Sequence, residues 1–196
     1  MPLDKPGMEK KLVDLIDNAM LTPPDAGNPP NPVLELQQYT AVAALWADAY
    51  KIYIRKVASC AGKANSAILA VQEKLVVSSM AAALQTSLDP ATASAAIAAA
   101  LTLFWVNPLV ITPIAPALPA VIVPVGFTVA VQTGLLASMT TNAATIAGTV
   151  PPVLYGEVPT DLAVSQLSAA FVAGTVAVLI THAFPPPASP CTGPPL

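Results

Sequence analysis

The sequence predicts an all-α protein: a helical bundle of about five or six helices with extended proline-rich segments and a proline-rich C-terminal tail. The chain of 196 residues contains 37 alanines and 22 prolines, a composition typical of small-residue helices interrupted by stiff extended chain. Apolar residues recur every three or four positions over most of its length, which is helical spacing. The length suits one domain with its own core. We assign 1–184 to a single helical domain and 185–196 to the tail.

Two amphipathic helices are predicted in the N-terminal part of the chain. The first covers 6–20, with Asp4 as its cap and Pro6 in its first turn. Its apolar face consists of Met8, Leu12, Ile16 and Met20. A turn-rich linker at 22–32 separates it from a longer helix at 32–60. The apolar stripe of that second helix consists of Tyr39, Val42, Trp46, Tyr50, Tyr53, Val57 and Cys60.

Two further helices follow, at 66–87 and 90–106. The inward face predicted for the first consists of Ile68, Val71, Leu75, Met80 and Leu84. Asp89 and Pro90 are a helix-start signal, because aspartate caps a helix and proline fits its first turn. The helix at 90–106 ends in a bulky apolar plug of Leu103, Phe104 and Trp105.

Segment 107–127 differs from the helices around it, because five prolines alternate there with Val, Ile and Leu. Proline at this density excludes a helix and favours extended chain. We predict an apolar arm or loop that is either buried in the subunit's own core or laid against another surface. Helices are predicted again at 128–148 and 161–183, joined by a linker at 149–160. Their inward residues are Val131, Leu135, Met139 and Ile146 in the first and Leu167, Phe171, Val178 and Leu179 in the second.

Charge is distributed unevenly along the chain. Every lysine and arginine lies within the first 74 residues, and the remaining 122 contain three acids, Asp89, Glu157 and Asp161. A soluble monomer needs a mixed charged surface, so we expect the C-terminal part to be covered by other protein subunits or by lipid. Nucleic-acid binding needs a basic stripe, and no such stripe is present.

No constellation of catalytic residues is visible. His182 is the only histidine, and the chain has no nucleophile-elbow, GxGxxG or P-loop sequence. Cys60 and Cys191 are too few and too far apart in sequence for a disulfide framework or a zinc site. We therefore expect neither an enzyme nor a cofactor.

Membrane insertion is the main alternative to a protein assembly. Segments 161–184 and 125–147 are long enough to span a bilayer core. Neither has flanking basic residues, both carry polar side chains, and the proline-rich segment between them would leave backbone groups unsatisfied in lipid. Burial between subunits explains the same composition, so we expect no membrane. A holin-like or envelope protein remains the alternative.

Five segments define the layout of the chain: MEKKLVDLIDNAM, the proline-rich spacer, LQQYTAVAALWADAYKIYIRKV, SAAIAAALTLFWVNP and AAFVAGTVAVLITHAFPPP. In their order and character they resemble the small Ala- and Pro-rich virion structural proteins of tailed bacteriophages. The resemblance implies a non-enzymatic subunit, made in the host cytoplasm and present in many copies in the virion. Its partners would be other copies of itself and neighbouring virion proteins. Capsid, neck, tail and baseplate remain open as its place.

Seven residues in and beside the proline-rich segment are the candidates for interface contacts. They are Phe104, Trp105, Ile111, Ile114, Val121, Ile122 and Phe127. Phe104 and Trp105 have a second interpretation, in which they plug the core of their own subunit.

Overall fold

A computed structural model describes residues 3–19, 32–58, 63–87, 89–105, 110–111, 121–124, 126–147, 160–182 and 191–195. Within these ranges the chain is an all-α helical bundle, as predicted. Its six helices are α1 (Lys5–Ala19), α2 (Pro32–Ile54), α3 (Ser66–Leu84), α4 (Pro90–Thr102), α5 (Phe127–Ala147) and α6 (Thr160–Val176). A 3-10 turn, Leu103–Trp105, follows α4 directly.

Side chains cap three of these helices, as helix starts require. At the start of α1 the Gly7 amide donates a hydrogen bond to Asp4 Oδ1 at 3.1 Å. At the start of α3 the Asn65 side chain accepts hydrogen bonds from two backbone amides. Asp89 and Thr92 form a reciprocal capping box at α4, with Pro90 in the first turn. These contacts satisfy amides that would otherwise lack a partner. The caps predicted at Asp4 and Asp89 are confirmed.

The helices pack in a closed ring around one core. Each helix contacts the next one along the chain, and α6 returns to contact α1. The interior is formed by the buried faces of the helices together with the 3-10 turn. The largest fully buried side chains of the described residues are Trp105, Tyr50, Phe104, Phe127, Phe171, Met8 and Leu12.

Two small antiparallel sheets accompany the bundle. Strands β1 (Lys63–Ala64) and β2 (Val110–Ile111) form a pair. Strands β3 (Val121–Val123), β4 (Leu179–His182) and β5 (Cys191–Gly193) form a sheet in that order. Because β3 leads into α5 and β4 follows α6, the second sheet lies where α5 begins and α6 ends.

The predicted helix at 161–183 is too long. α6 ends at Val176, and Leu179–His182 pairs as a strand with Val121–Val123. A helical pattern fits 179–182 equally well in isolation, but the β-branched residues of 121–123 provide a strand partner for this segment. Part of the predicted tail, Cys191–Gly193, adds the third strand. The predicted linkers 22–32 and 149–160 lie outside the described residues, apart from Pro32 and Thr160, where helices begin.

The predicted inward face of α3 is also wrong in part. Val71 and Leu75 are 62% and 51% exposed, whereas the buried face consists of Leu69, Gln72, Val76, Met80 and Ala81. Apolar residues occur on every side of α3, so helical periodicity alone does not distinguish the side that faces α2 and α4.

Candidate interaction surfaces

Tyr50 lies at the centre of the bundle and connects three parts of the chain by buried hydrogen bonds. Trp105 Nε1 donates to the Tyr50 hydroxyl at 3.0 Å, and that hydroxyl lies 2.8 Å from Thr175 Oγ1. Thr175 Oγ1 itself donates to the Phe171 carbonyl at 2.8 Å. The Tyr50 hydroxyl must therefore be the donor to Thr175. The chain of hydrogen bonds runs in one direction, from the 3-10 turn through α2 to α6.

Aromatic rings surround this hydroxyl chain. The Tyr50 ring lies 5.3–5.8 Å from the rings of Phe104, Phe127 and Phe171, with tilted or edge-on geometry. Trp105 contacts Phe127 in the same way. Such arrangements add to the stabilisation that ring burial provides. Burial strongly raises the pKa of the Tyr50 hydroxyl above its ordinary value, so Tyr50 stays neutral.

Three of the predicted interface residues belong to this core. Phe104, Trp105 and Phe127 are each 0% exposed. A side chain without exposed surface cannot contact a partner, so their assignment as interface residues is corrected. The second interpretation, in which Phe104 and Trp105 plug their own subunit, describes the observed structure.

The other four predicted residues have different surroundings. Val121 is 60% exposed on β3, and Ile122 is partly buried and packs against the core. The backbone of Ile111 pairs with Lys63, and Ile114 lies outside the described residues. Val121 is therefore the predicted residue that the structure places clearly at the surface.

Ion pairs hold the charged N-terminal helices together. Asp48 on α2 bridges Lys11 of α1 at 3.4 Å and Lys51 at 3.2 Å. Lys51 also reaches Glu73 of α3 at 2.6 Å. Connected pairs of this kind stabilise more than isolated surface pairs. These charges therefore serve to fasten α1, α2 and α3.

A second cluster fastens the start of α1 to the end of α2. Asp4 pairs with Arg55 at 2.6 Å and Lys56 at 3.3 Å. Its hydrogen bonds to the Arg55 guanidinium and to the Gly7 amide hold the pKa of Asp4 below its usual value. α1 is also attached to α6, because the buried Ser168 hydroxyl donates to Glu9 at 2.9 Å.

The exposed positions that the structure describes within α4, α5 and α6 carry uncharged residues, most of them small. The exposed positions of α5 include Thr133, Ala137 and Thr140, and those of α6 include Ser165, Ala169 and Ala173. Contacts between these helices are also uncharged, such as the Thr102–Thr128 hydroxyl pair at 2.8 Å. Removing water from this side of the bundle requires little free energy, because burying an ionised side chain costs far more than burying Ala or Thr.

Glycines bring α5 and α6 into close contact. A Cβ at Gly134 would lie 2.5 Å from the Ala170 Cβ, and one at Gly174 would lie 2.4 Å from Val131 Cγ2. At the end beside the sheet, a Cβ at Gly126 would lie 2.8 Å from the Ala177 Cβ. The start of α5 and the end of α6 are therefore side by side.

Exposed large apolar side chains concentrate in two places. We call the first the groove patch: Leu36, which lines a groove of about 520 Å³ between α2 and α3, together with Val71 and Leu75 of α3, which are exposed but do not line the groove. The groove is lined by Leu36, Thr40, Val77, Ser78, Ala81 and Ala82, together with Glu73 and Lys74. We call the second the sheet-end patch: Val121, Val123, Val129, Val176 and Leu179. Sequence patterning missed Val71, Leu75 and Leu179, which it placed inward.

Two properties of the described residues bear on other functions. They contain no group of three or more His, Cys, Asp or Glu side chains arranged to hold a metal ion. One described helix, Ser66–Leu84, is long and apolar enough to cross a membrane by length and composition, and 28% of its most apolar window is buried in the bundle. No family model, curated protein or solved structure matches this chain.

Proposed function

We propose that this chain is a non-enzymatic structural subunit of a large protein assembly, a virion component of a tailed bacteriophage. The observation that carries the proposal is the segregation of charge in the fold. The ion pairs join α1, α2 and α3, whereas the outer surfaces of α4, α5, α6 and the sheet present Ala, Thr, Ser and Val. The resemblance of the sequence layout to phage virion proteins supplies the virion as the setting.

A surface free of charge provides little repulsion between copies, so a chain of this kind associates readily. The same surface loses little hydration free energy when a neighbour covers it. Weak repulsion and a small loss of hydration free energy both favour a subunit that is packed permanently against others. Other copies of this chain and neighbouring virion proteins are the partners that we propose.

One observation favours a second candidate, a small membrane-inserted protein. α3 has the length and composition of a membrane-spanning helix. In the bundle, however, Glu73 in the middle of α3 is paired with Lys51 of α2, and α3 contributes a buried face to the core. These contacts are typical of a helix of a water-exposed bundle, so the assembly remains the preferred proposal.

Sedimentation of the full chain in low and high salt tests the assembly proposal. Salt screens charged contacts, whereas excluded salts such as sulfate strengthen the burial of apolar surface. We expect oligomers that persist in high sodium chloride and strengthen in ammonium sulfate. Dissociation by sodium chloride would show instead that the charged helices α1–α3 drive association, and would overturn the proposed role of the uncharged surface.

A further inference from the structure

The second sheet brings together the only histidine of the chain and one of its two cysteines. His182 is the last residue of β4, and Cys191 is the first residue of β5. The antiparallel register of these strands makes the two residues Cα partners. Sequence patterning does not pair them, because it assigns His182 to a helix and Cys191 to the tail. The fold thus places an acid–base residue and a nucleophilic residue on one rung of a ladder.

The neighbouring rung of the same ladder shows that opposite side chains meet there. Thr192 Oγ1 donates a hydrogen bond to Thr181 Oγ1 at 3.2 Å, and these two residues are also Cα partners. Residues directly opposite in an antiparallel pair share one face of the sheet, with Cβ atoms about 4.5–5.5 Å apart. Because faces alternate along a strand, the His182–Cys191 pair belongs to the opposite face from the two threonines.

No other ionisable residue belongs to the described strands and helices that adjoin this pair. β3 is Val121–Val123, β4 adds Leu, Ile and Thr to its histidine, and β5 adds Thr and Gly to its cysteine. α5 has no ionisable residue, and α6 has Asp161 at its start, far from β4. Within the described sheet, each member of the pair therefore has the other as its ionisable neighbour.

One charged cluster lies toward the same end of the bundle as the sheet. Tyr50 and Thr175 are in the last turns of α2 and α6 and contact each other, so the two helices finish at the same end. The arginine and lysine that follow α2 are paired there with Asp4. Their influence on Cys191 does not change when His182 is replaced, so variants of His182 isolate the contribution of the imidazole.

The chemistry of such a pair follows from its two members. A neutral imidazole accepts a proton near neutral pH, and a thiol that gives up its proton becomes a thiolate. The imidazolium cation then stabilises the thiolate by charge attraction. The thiolate, and not the thiol, is the nucleophile of cysteine chemistry.

We propose that Cys191 is a reactive thiol, activated by His182, that forms a mixed disulfide with a low-molecular-mass disulfide. The imidazole removes the thiol proton, and the thiolate sulfur attacks one sulfur of the disulfide. A new S–S bond forms as the old one breaks. The electron pair of the old bond leaves on its other sulfur, which takes a proton from the imidazolium. The Cys191 sulfur is oxidised and the leaving sulfur is reduced, so the electrons balance.

This modification goes beyond the proposed assembly and does not depend on it. The reaction occurs once per chain, without turnover, so it is compatible with a non-enzymatic subunit. A reducing cytoplasm keeps a thiol of this kind free, whereas oxidising surroundings allow the mixed disulfide to persist. The state of Cys191 would therefore follow the redox poise of the compartment in which the chain is found.

Reaction of the reduced full chain with oxidised glutathione tests this inference. Peptide mass spectrometry of quenched samples gives the rate at Cys191 separately from the rate at Cys60. We expect His182→Ala to lower the Cys191 rate at neutral pH about three- to tenfold, because the thiolate fraction falls while the remaining thiolate is more nucleophilic. The rate in the wild type should also begin to rise at lower pH than the rate in His182→Ala.

Further variants separate the effect of charge from the effect of structure. His182→Lys keeps a cation opposite Cys191 and should react faster than His182→Ala. His182→Gln keeps a polar side chain without the charge and should react as slowly as His182→Ala. The matched control is Thr181→Ala, on the other face of the sheet, which should leave the rate unchanged. In concentrated urea the register is lost, so the wild type and the His182 variants should react alike.

Equal Cys191 rates in the folded wild type and in both folded uncharged variants, His182→Ala and His182→Gln, would overturn the inference. A wild-type Cys191 that reacts in urea but not in the folded protein would overturn it as well. Circular dichroism confirms the fold of each variant. These rates do not depend on the oligomeric state, so their failure would leave the proposed assembly untouched.

Discussion

The hydroxyl of Tyr50 joins the 3-10 turn to α6, and it does so in a part of the core that water does not reach. Its partners, Trp105 Nε1 and Thr175 Oγ1, lie at 3.0 and 2.8 Å. Because both partners are buried, neither can form a hydrogen bond to water in place of the one to Tyr50. A buried donor without a partner costs more than the hydrogen bond itself contributes.

Replacing Tyr50 with Phe should destabilise the protein by about 1–3 kcal/mol, because the Trp105 N–H loses its acceptor. Urea unfolding followed by circular dichroism measures the change. Tyr53→Phe is the matched control, since the Tyr53 hydroxyl is not part of this chain of hydrogen bonds. If both variants lost the same free energy of unfolding, the hydrogen bonds of the Tyr50 hydroxyl would make no specific contribution to stability.

The raised pKa of Tyr50 predicts sensitivity to base. In the unfolded chain tyrosine ionises near pH 10, but burial keeps the folded side chain neutral to higher pH. The folded state then binds more protons than the unfolded state, so stability falls as pH rises above about 10, by up to about 1.4 kcal/mol per pH unit for this group. Urea midpoints at neutral and alkaline pH should show a shallower decline in Tyr50→Phe; an identical decline would contradict the assignment.

Gln72 is a buried polar residue whose amide has no hydrogen-bond partner within the described part of the chain. Gln72→Met keeps a similar length and removes the amide, so we expect a gain of about 1–3 kcal/mol in the free energy of unfolding. The exposed Gln85 at the end of α3 gives the control, Gln85→Met, which should change stability by less than about 0.5 kcal/mol. A loss of stability in Gln72→Met would mean that the amide is satisfied after all.

For individual residues, the sequence predicts which side chains are buried better than it predicts which side chains they contact. The stripe of α2 correctly places Trp46, Tyr50 and Tyr53 in the core. It cannot show that the Tyr50 hydroxyl meets Thr175, which is 125 positions away, because periodicity describes one helix and not its neighbours. For the same reason the sequence leaves Phe104 and Trp105 open as either core or interface residues. The structure shows that both are buried in the bundle.

Between elements, the spacing of α5 and α6 depends on residues without a Cβ or with only a methyl group. Gly134 faces Ala170, where an added Cβ would lie 2.5 Å from one side-chain atom and 3.0 Å from the backbone Cα. The two helices would have to separate to relieve such a contact.

Gly134→Ala should therefore destabilise the protein by about 1–3 kcal/mol, although the same change at an exposed helical position stabilises by up to about 1 kcal/mol. Thermal and urea unfolding measure the difference. The control is the exchange variant Gly134→Ala with Ala170→Gly, which moves the methyl group to the other helix and should recover part of the loss. No recovery would show that the contact between these two residues is not the cause.

Caps, prolines and periodicity act locally, so they predict all six helices from the sequence. The errors of the prediction lie where a distant segment decides the outcome. Residues 179–182 form a strand because 121–123 and 191–193 lie beside them. Val71 and Leu75 lie outside because α2 and α4 cover other sides of α3. Val71, Leu75 and Leu179 are exposed for these two reasons, so their exposure could not be predicted from the sequence.

Across the whole molecule, charge and function are connected through the order of the helices in the ring. The three charged helices come first in the chain and are tied to each other by Lys11, Asp48, Lys51 and Glu73. The last three helices close the ring, and the exposed side chains that the structure describes within them are uncharged. The bundle therefore has one side suited to water and another suited to contact with protein, as the proposed assembly requires.

The proposed assembly is tested first by the solution mass of the full chain, measured by light scattering after size exclusion in buffer without detergent. We predict a discrete multimer whose population grows with protein concentration. A folded chain that stays monomeric at every concentration would contradict the account. A chain recovered only from membranes, and only with detergent, would contradict it as well and would support the membrane-inserted alternative.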